Sequence, residues 1–96
     1  MRNAIIVEPE DNVIVAIETI KKGDTVTYLS EGKEVSLTAT EDVTIYHKLA
    51  ARDIKEGEPI VKYGEHIGLA ARDIVKGEHV HVHNLREHRE DLASEE

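Results

Sequence analysis

His79, His81 and His83 alternate with Val80 and Val82 near the end of this 96-residue sequence. On an extended strand, side chains alternate between faces, so the three imidazoles would share one face and the valines the other. Residues two apart lie roughly 6–7 Å apart at Cα, so two neighbouring imidazoles can meet one metal ion or one carboxylate. All three on one ion would require a bend, because the outer pair is about 13 Å apart. The simpler account is an exposed polar face on an amphipathic strand, and spacing alone does not separate the two. Two further blocks offer complementary chemistry, His47-Lys48 and Lys62-Tyr63-Gly64. Their lysines can hold a carboxylate as point charges, a desolvated lysine or tyrosine can transfer a proton, and Gly64 lets backbone approach a ligand closely. The simpler account of Lys62 and Tyr63 is a strand end followed by a turn at Gly64-Glu65. His66 is expected to be solvated in the turn before Ile67-Gly68, and His88 to lie in a charged tail without a role.

The elements that must position these groups are strands. Valine and isoleucine total twenty against six leucines, with no phenylalanine or tryptophan, and β-branched residues suit a pleated surface better than a helix. Strand-length apolar or alternating segments occur at Ala4–Val7, Val13–Ile17, Pro59–Tyr63 and His79–His83. Thr25–Leu29 and Glu34–Thr38 flank Ser30-Glu31-Gly32-Lys33, which is expected to close a hairpin with Gly32 at positive φ. Pro59 belongs at a strand start or edge, where its missing N–H costs least.

An internal repeat organises the middle of the chain. Leu49-Ala50-Ala51-Arg52-Asp53-Ile54 recurs unchanged as Leu69-Ala70-Ala71-Arg72-Asp73-Ile74. Each copy continues through two variable residues to a glycine, an acid and an aliphatic two positions on, as far as Ile60 and Val80. A weaker copy runs from Ala16 to Val26. The unequal spacing excludes a solenoid. Each unit is expected to be a buried aliphatic, an exposed turn, a left-handed glycine (Gly23, Gly57, Gly77) and a strand start. A short helix over Ala50–Ile54 competes, but the early glycine leaves it barely one turn, so a turn or bent strand is preferred. Identical repeat positions assign Asp53 and Asp73 to turn-stabilising hydrogen bonds rather than acid–base work, and Arg52 and Arg72 to salt bridges or the surface.

One domain over residues 1–85 is expected, followed by a charged tail or linker over 86–96. Asn84 with Glu87 could cap a short C-terminal helix carrying Leu85, His88 and Leu92 on one face, against a frayed tail in which seven of thirteen residues from Asn84 onward are charged. Twenty acidic against twelve basic residues give a net charge of −8, which argues against nucleic acid and requires any anionic ligand to be met by a local positive cluster. The absence of cysteine excludes disulfides and thiolate chemistry. No apolar run approaches a membrane span and no signal peptide is read, so a cytoplasmic location and no membrane partner are expected. Phosphate-binding glycine loops, His-Glu-x-x-His and the nucleophile elbow are all absent.

Five blocks together resemble one family: Asp11-Asn12-Val13, Tyr46-His47-Lys48-Leu49-Ala50, Ile60-Val61-Lys62-Tyr63-Gly64, Ile67-Gly68, and Gly77-Glu78-His79-Val80-His81-Val82-His83-Asn84. The chain is similar, over about Asn12 to Leu85, to the small N-terminal domain or small subunit of the altronate and galactarate dehydratases, and to the alpha subunit of sulfolactate sulfo-lyase. The resemblance implies a mainly β, SAF-type β-clip fold with long twisted hairpins. It implies a lyase acting on a sugar acid or related 2-hydroxy acid, dependent on iron or another divalent metal, with a large catalytic subunit or domain as partner. It departs at Tyr46, where many relatives have glycine. On this resemblance, His47, Lys62, Tyr63 and His81 are the candidate catalytic residues. Lys48, Gly64, His79, His83 and Asn84 are the candidate substrate contacts, and His81 and His83 the candidate metal ligands. The isolated chain is expected to be inactive and to bind metal weakly or not at all, because one strand presents at most two well-spaced imidazoles to one ion. The alternative is a non-catalytic β-clip module recognising a carbohydrate or protein. In either case an exposed edge strand could pair two copies.

Overall fold

The main β-branched segments form strands, as their composition favours. The computed structural model describes residues 2–81 and 83–87, and these contain nine strands and no helix. The strands are β1 (Ala4–Ile5), β2 (Val13–Ala16), β3 (Thr25–Ser30), β4 (Lys33–Thr38), β5 (Lys48–Ala50), β6 (Pro59–Lys62), β7 (Glu65–Ala70), β8 (His79–Val80) and β9 (Leu85–Glu87). They make a four-stranded sheet in the order β1-β2-β5-β8, a β3–β4 hairpin, and a three-stranded sheet β6-β7-β9. All pairings are antiparallel. The mainly β, β-clip-type expectation holds.

Two-residue loops close both hairpins. Glu31-Gly32 joins β3 to β4 with φ of 51° and 80°, and Tyr63-Gly64 joins β6 to β7 with 58° and 75°. Positive φ at both loop positions is the turn whose twist matches paired strands. The second turn therefore sits one residue earlier than expected, and Glu65 pairs with Lys62.

Four turn units, not three, tie the strands together. They begin at buried Ala16, Ala39, Ala50 and Ala70, pass through buried Ile20, Val43, Ile54 and Ile74, and end at buried Val26, Leu49, Ile60 and Val80. The central aliphatics pair as bridges, Ile20 with Val43 and Ile54 with Ile74, each closed by two backbone hydrogen bonds of 2.7–2.9 Å. Asp53 Oδ1 accepts from the Lys76 N–H at 2.9 Å and Asp73 Oδ1 from the Glu56 N–H at 2.8 Å. Each aspartate thus caps the turn of the paired unit. Asp42 serves Lys22 in the same way at 2.8 Å.

The chain is consequently two similar halves. The first contains units one and two around β3–β4, and buries Ile14, Ile20, Val26, Tyr28, Leu37, Val43 and Leu49. The second contains units three and four around β6–β7, and buries Val13, Ile54, Ile60, Ile74 and Val80. Val13 and Ile14 are successive on β2 and enter different cores, because alternate side chains leave a strand on opposite faces. The four-stranded sheet is therefore the shared wall.

Three sequence expectations are corrected. The strand over His79–His83 ends at Val80. Leu85–Glu87 is strand, pairing with β7, so no helix starts after Asn84; its continuation through His88 and Leu92 lies outside the described residues. His66 lies within β7 rather than in a turn.

Candidate functional site

The pairing of β5 with β8, Lys48 opposite Val80 and Leu49 opposite His79, brings two distant parts of the sequence to one sheet edge. It sets His47 against the histidine segment. His47 Nδ1 and His79 Nε2 lie 3.0 Å apart, a hydrogen bond whose direction depends on the tautomers. The rings of His47, His79 and His81 are nearly parallel, with centroids 4.5–5.5 Å apart and interplanar angles of 10–21°.

His47 reaches this place through the second turn unit. In the other three units a glycine and an acid occupy the corresponding positions, Gly23-Asp24, Gly57-Glu58 and Gly77-Glu78, and each acid caps its own turn N–H. Here the pair is Tyr46-His47. The backbone frame is unchanged: Tyr46 N–H donates to Ala16 O at 2.7 Å and His47 N–H to Thr44 O at 2.9 Å. Tyr46 therefore takes the left-handed glycine conformation, φ 71°, and stands 72% exposed. The position of the capping acid is given to an imidazole that faces the site.

Beyond β8 the chain turns back. Asn84 is fully buried and Oδ1 accepts from the His81 N–H at 2.9 Å, while Nδ2 donates to His79 O at 2.7 Å and Glu78 Oε2 at 3.2 Å. Glu78 Oε2 also pairs with Arg72 at 2.8 Å. The turn brings the His83 ring to 5.3 Å from that of His79 at a 43° tilt, so the segment bends, but His79, His81 and His83 do not converge as one ligand set. Asn84, a candidate substrate contact by sequence, has its polar atoms committed to holding this turn. Whether Val82 faces away from the imidazoles lies outside the described residues.

Lysines complete the cluster. Lys48 is half-buried, and its ammonium is held below the ordinary lysine value, first by desolvation and then by nearby Lys62. Lys62 Nζ sits 4.6 Å over the Tyr63 ring, a cation–π distance. Tyr63 and Gly64 are placed by Asp11, almost fully buried, whose carboxylate accepts from their N–H groups at 2.9 and 2.8 Å. The Gly64 N–H is thus engaged, and a Cβ there would press on the Glu10 carboxylate. Asn12 ties the same region to β2, accepting from Val61 N–H at 2.7 Å and donating to Pro59 O at 2.9 Å. Sequence reasoning used Asp11 and Asn12 only as marks of resemblance. Their position just before β2 carried the missed signal, since buried Asx side chains commonly satisfy backbone N–H groups.

Electrostatically the edge favours neutral imidazoles beside ammonium groups. His79 is pulled below the ordinary histidine value by desolvation and then by His47, His83 and His81, with Glu41 opposing. His81 shifts the same way, by desolvation first and then by His47, Lys48 and His83. Neutral imidazoles keep their lone pairs, so the donor chemistry fits a divalent transition metal. Among the described residues, two sets of ligand atoms lie within 4.8 Å of one another, His47–His79–His81 and Glu41–His79–His83. His81 and His83 fall in different sets, and His79 is common to both. An open apolar depression lined by Arg2, Ala4, Ile5, Ile6, Ile17 and Leu29 lies elsewhere, among first-half residues.

Residues 2–88 match the family described as the altronate/galactarate dehydratase SAF domain. The chain is 39% identical over 92 residues to altronate dehydratase of Bacillus subtilis and 42% identical over 87 residues to that of Escherichia coli. These alignments cover 96% and 85% of this chain but only 18% and 16% of the relatives, so it spans less than a fifth of their length. It is also 35% identical over 78 residues to the (2R)-sulfolactate sulfo-lyase subunit alpha of Chromohalobacter salexigens, covering 79% of this chain and 83% of that subunit.

Proposed function

The chain belongs to the altronate/galactarate dehydratase SAF-domain family, and from that premise we propose that it is the small domain or subunit of a hydro-lyase acting on sugar acids. In this reading a large catalytic partner completes the active site, and iron or another divalent cation supplies Lewis acidity when bound. The supporting observation is the β5–β8 junction, which gathers His47, Lys48, His79 and His81 on an otherwise acidic molecule. Lys48 and Lys62 hold the substrate carboxylate as point charges, a role that partial desolvation strengthens. A neutral imidazole of His47 or His81 takes or gives the proton that must move when water leaves. Tyr63, exposed at the β6–β7 turn, presents its phenol to the same anion. Asn84 and Asp11 act by fixing the two turns.

The test is reconstitution with a large partner and an assay on a panel of aldonates and aldarates. The chain alone should show no turnover. The His81→Ala variant should lower activity of the complex by about 10²-fold or more if proton transfer is lost, while leaving the melting temperature nearly unchanged. Turnover by the isolated chain, or a destabilised variant with normal specific activity, would overturn the reading. A second reading, the alpha subunit of a sulfolactate sulfo-lyase, is supported by the alignment that covers most of that subunit. Sulfolactate in the same panel separates the two.

A further inference from the structure

We infer that His47, His79 and His81 form a three-imidazole site through which this chain itself holds one divalent transition-metal ion. The inference goes beyond the proposed function, in which the ion could equally be held by the large partner; with His47 and His81 on the ion, the proton is moved by Lys62 or Tyr63 instead. Three observations carry it. The ligand atoms of the three residues lie within 4.8 Å of one another, and His47 Nδ1 and His79 Nε2 are already 3.0 Å apart. Two nitrogens of a tetrahedral site with metal bonds of about 2.05 Å sit roughly 3.3 Å apart, so this pair needs to open only slightly. The parallel rings must rotate about χ2 to aim at one ion. That torsion is broad for imidazole, and all three residues are only partly buried.

The scaffold is the second observation. The backbones at the site are fixed independently of the rings: His47 by its turn bonds to Thr44 and Ala16, and the 79–81 segment by Asn84. The rings can therefore exchange their mutual hydrogen bond for a metal without local unfolding. Third, the second turn unit carries His47 where the other three units carry an acid that caps the turn N–H. A purely structural imidazole ladder does not need that exchange. Three neutral nitrogens leave at least one coordination position open. Lys48, next to His47 in the chain, would supply a cation for the carboxylate of a ligand taking that position.

The test is titration of the full chain with zinc chloride by calorimetry and with cobalt chloride by visible absorption. One equivalent should bind, with ligand-field bands of a nitrogen-rich site. His47→Ala, His79→Ala and His81→Ala should each weaken binding by about 100-fold or more, whereas His83→Ala should leave affinity within about threefold. Circular dichroism identifies unfolded variants, and His47→Asn and His81→Asn then replace them. Loss of binding in His83→Ala but not in His47→Ala would place the ion on Glu41, His79 and His83 and overturn the assignment. Absence of stoichiometric binding would identify the three rings as a hydrogen-bonded ladder only. Neither failure touches the proposed function, whose own failure is read separately as an inactive reconstituted complex.

Discussion

Unit two, which closes the first half of the molecule, and unit four, which closes the second, share a backbone and differ in chemistry. In unit four Gly77 approaches the Thr38 backbone closely and Glu78 is buried among Asn84, Arg72 and the Val75 N–H. In unit two the same positions hold exposed Tyr46 in a left-handed conformation and His47 facing other imidazoles. One copy of the motif caps its own turn with a buried acid, and the other carries an exposed phenol and an imidazole in place of the glycine and the cap. A left-handed non-glycine residue is tolerated when surrounding bonds over-determine the backbone, and the turn bonds to Ala16 and Thr44 do so here.

The largest effect should come from the crowded side of this comparison. A Cβ at Gly77 would collide with the Thr38 carbonyl oxygen, and φ is 90°. Gly77→Ala should cost about 2–5 kcal/mol from overpacking plus left-handed strain. Gly23 has the same φ but open space around it, so Gly23→Ala should cost only about 1 kcal/mol. Urea denaturation of both variants checks this, and equal losses would mean that Gly77 is not closely packed.

Next in size is the polar side chain that holds a turn. Asn84→Ala removes three hydrogen bonds and leaves a buried Glu78 oxygen with less satisfaction, which should cost about 1–3 kcal/mol. Asp24→Ala, at an exposed turn acid of unit one, should cost about 0.5–1.5 kcal/mol. If Asn84 holds the histidine turn, its variant should also reduce activity of the reconstituted enzyme, while the Asp24 variant should not.

Smaller again is the response to pH. His79 and His81 both have folded-state values below the ordinary 6.5. The unfolded chain therefore takes up protons first, and stability is full above about pH 6.5 and falls as pH drops through the lowered folded values. Melting temperatures between pH 7.5 and 5 should show this slope, reduced in the His79→Ala variant. A flat profile would mean that the rings are not held neutral.

Much of this comparison is legible in the sequence alone. The hairpin at Glu31-Gly32, the Asp53 and Asp73 caps and the units ending at Val26, Ile60 and Val80 all carry local signals in glycine placement and branching. The unit from Ala39 to Leu49 was not legible, because Tyr46-His47 erased the glycine-acid mark that identified the others. The proximity of His47 to His79 was equally hidden: it arises from β5–β8 pairing between segments 32 residues apart, and long-range pairing leaves no local trace. The bend after Val80 was missed for a different reason. Alternation predicts a strand, but the buried Asn84 side chain satisfies the His81 N–H and ends the pairing. The expectation that this chain binds metal weakly or not at all counted two imidazoles of one strand, because nothing in the sequence places His47 beside them; the structure sets His47 Nδ1 3.0 Å from His79 Nε2.

The smallest expected change is also the one that separates strain from placement. Tyr46→Gly restores the residue that the other three units use at this position. It relieves a left-handed side chain, a gain of about 1 kcal/mol or somewhat more, and returns backbone freedom to the unfolded chain, a loss of about 0.4–1 kcal/mol. The net should be a stabilisation below about 1 kcal/mol, since the ring is largely exposed and buries little surface. The backbone bonds to Ala16 and Thr44 do not involve the side chain, so His47 should remain in place and cobalt affinity should stay within a few-fold. Thermal melts and the cobalt titration, run on the same preparation, check both halves of this expectation. A clear loss of stability would show that the Tyr46 ring packs on the domain. Unchanged stability and affinity with reduced activity in the complex would instead assign the tyrosine to contact with the substrate or the large partner.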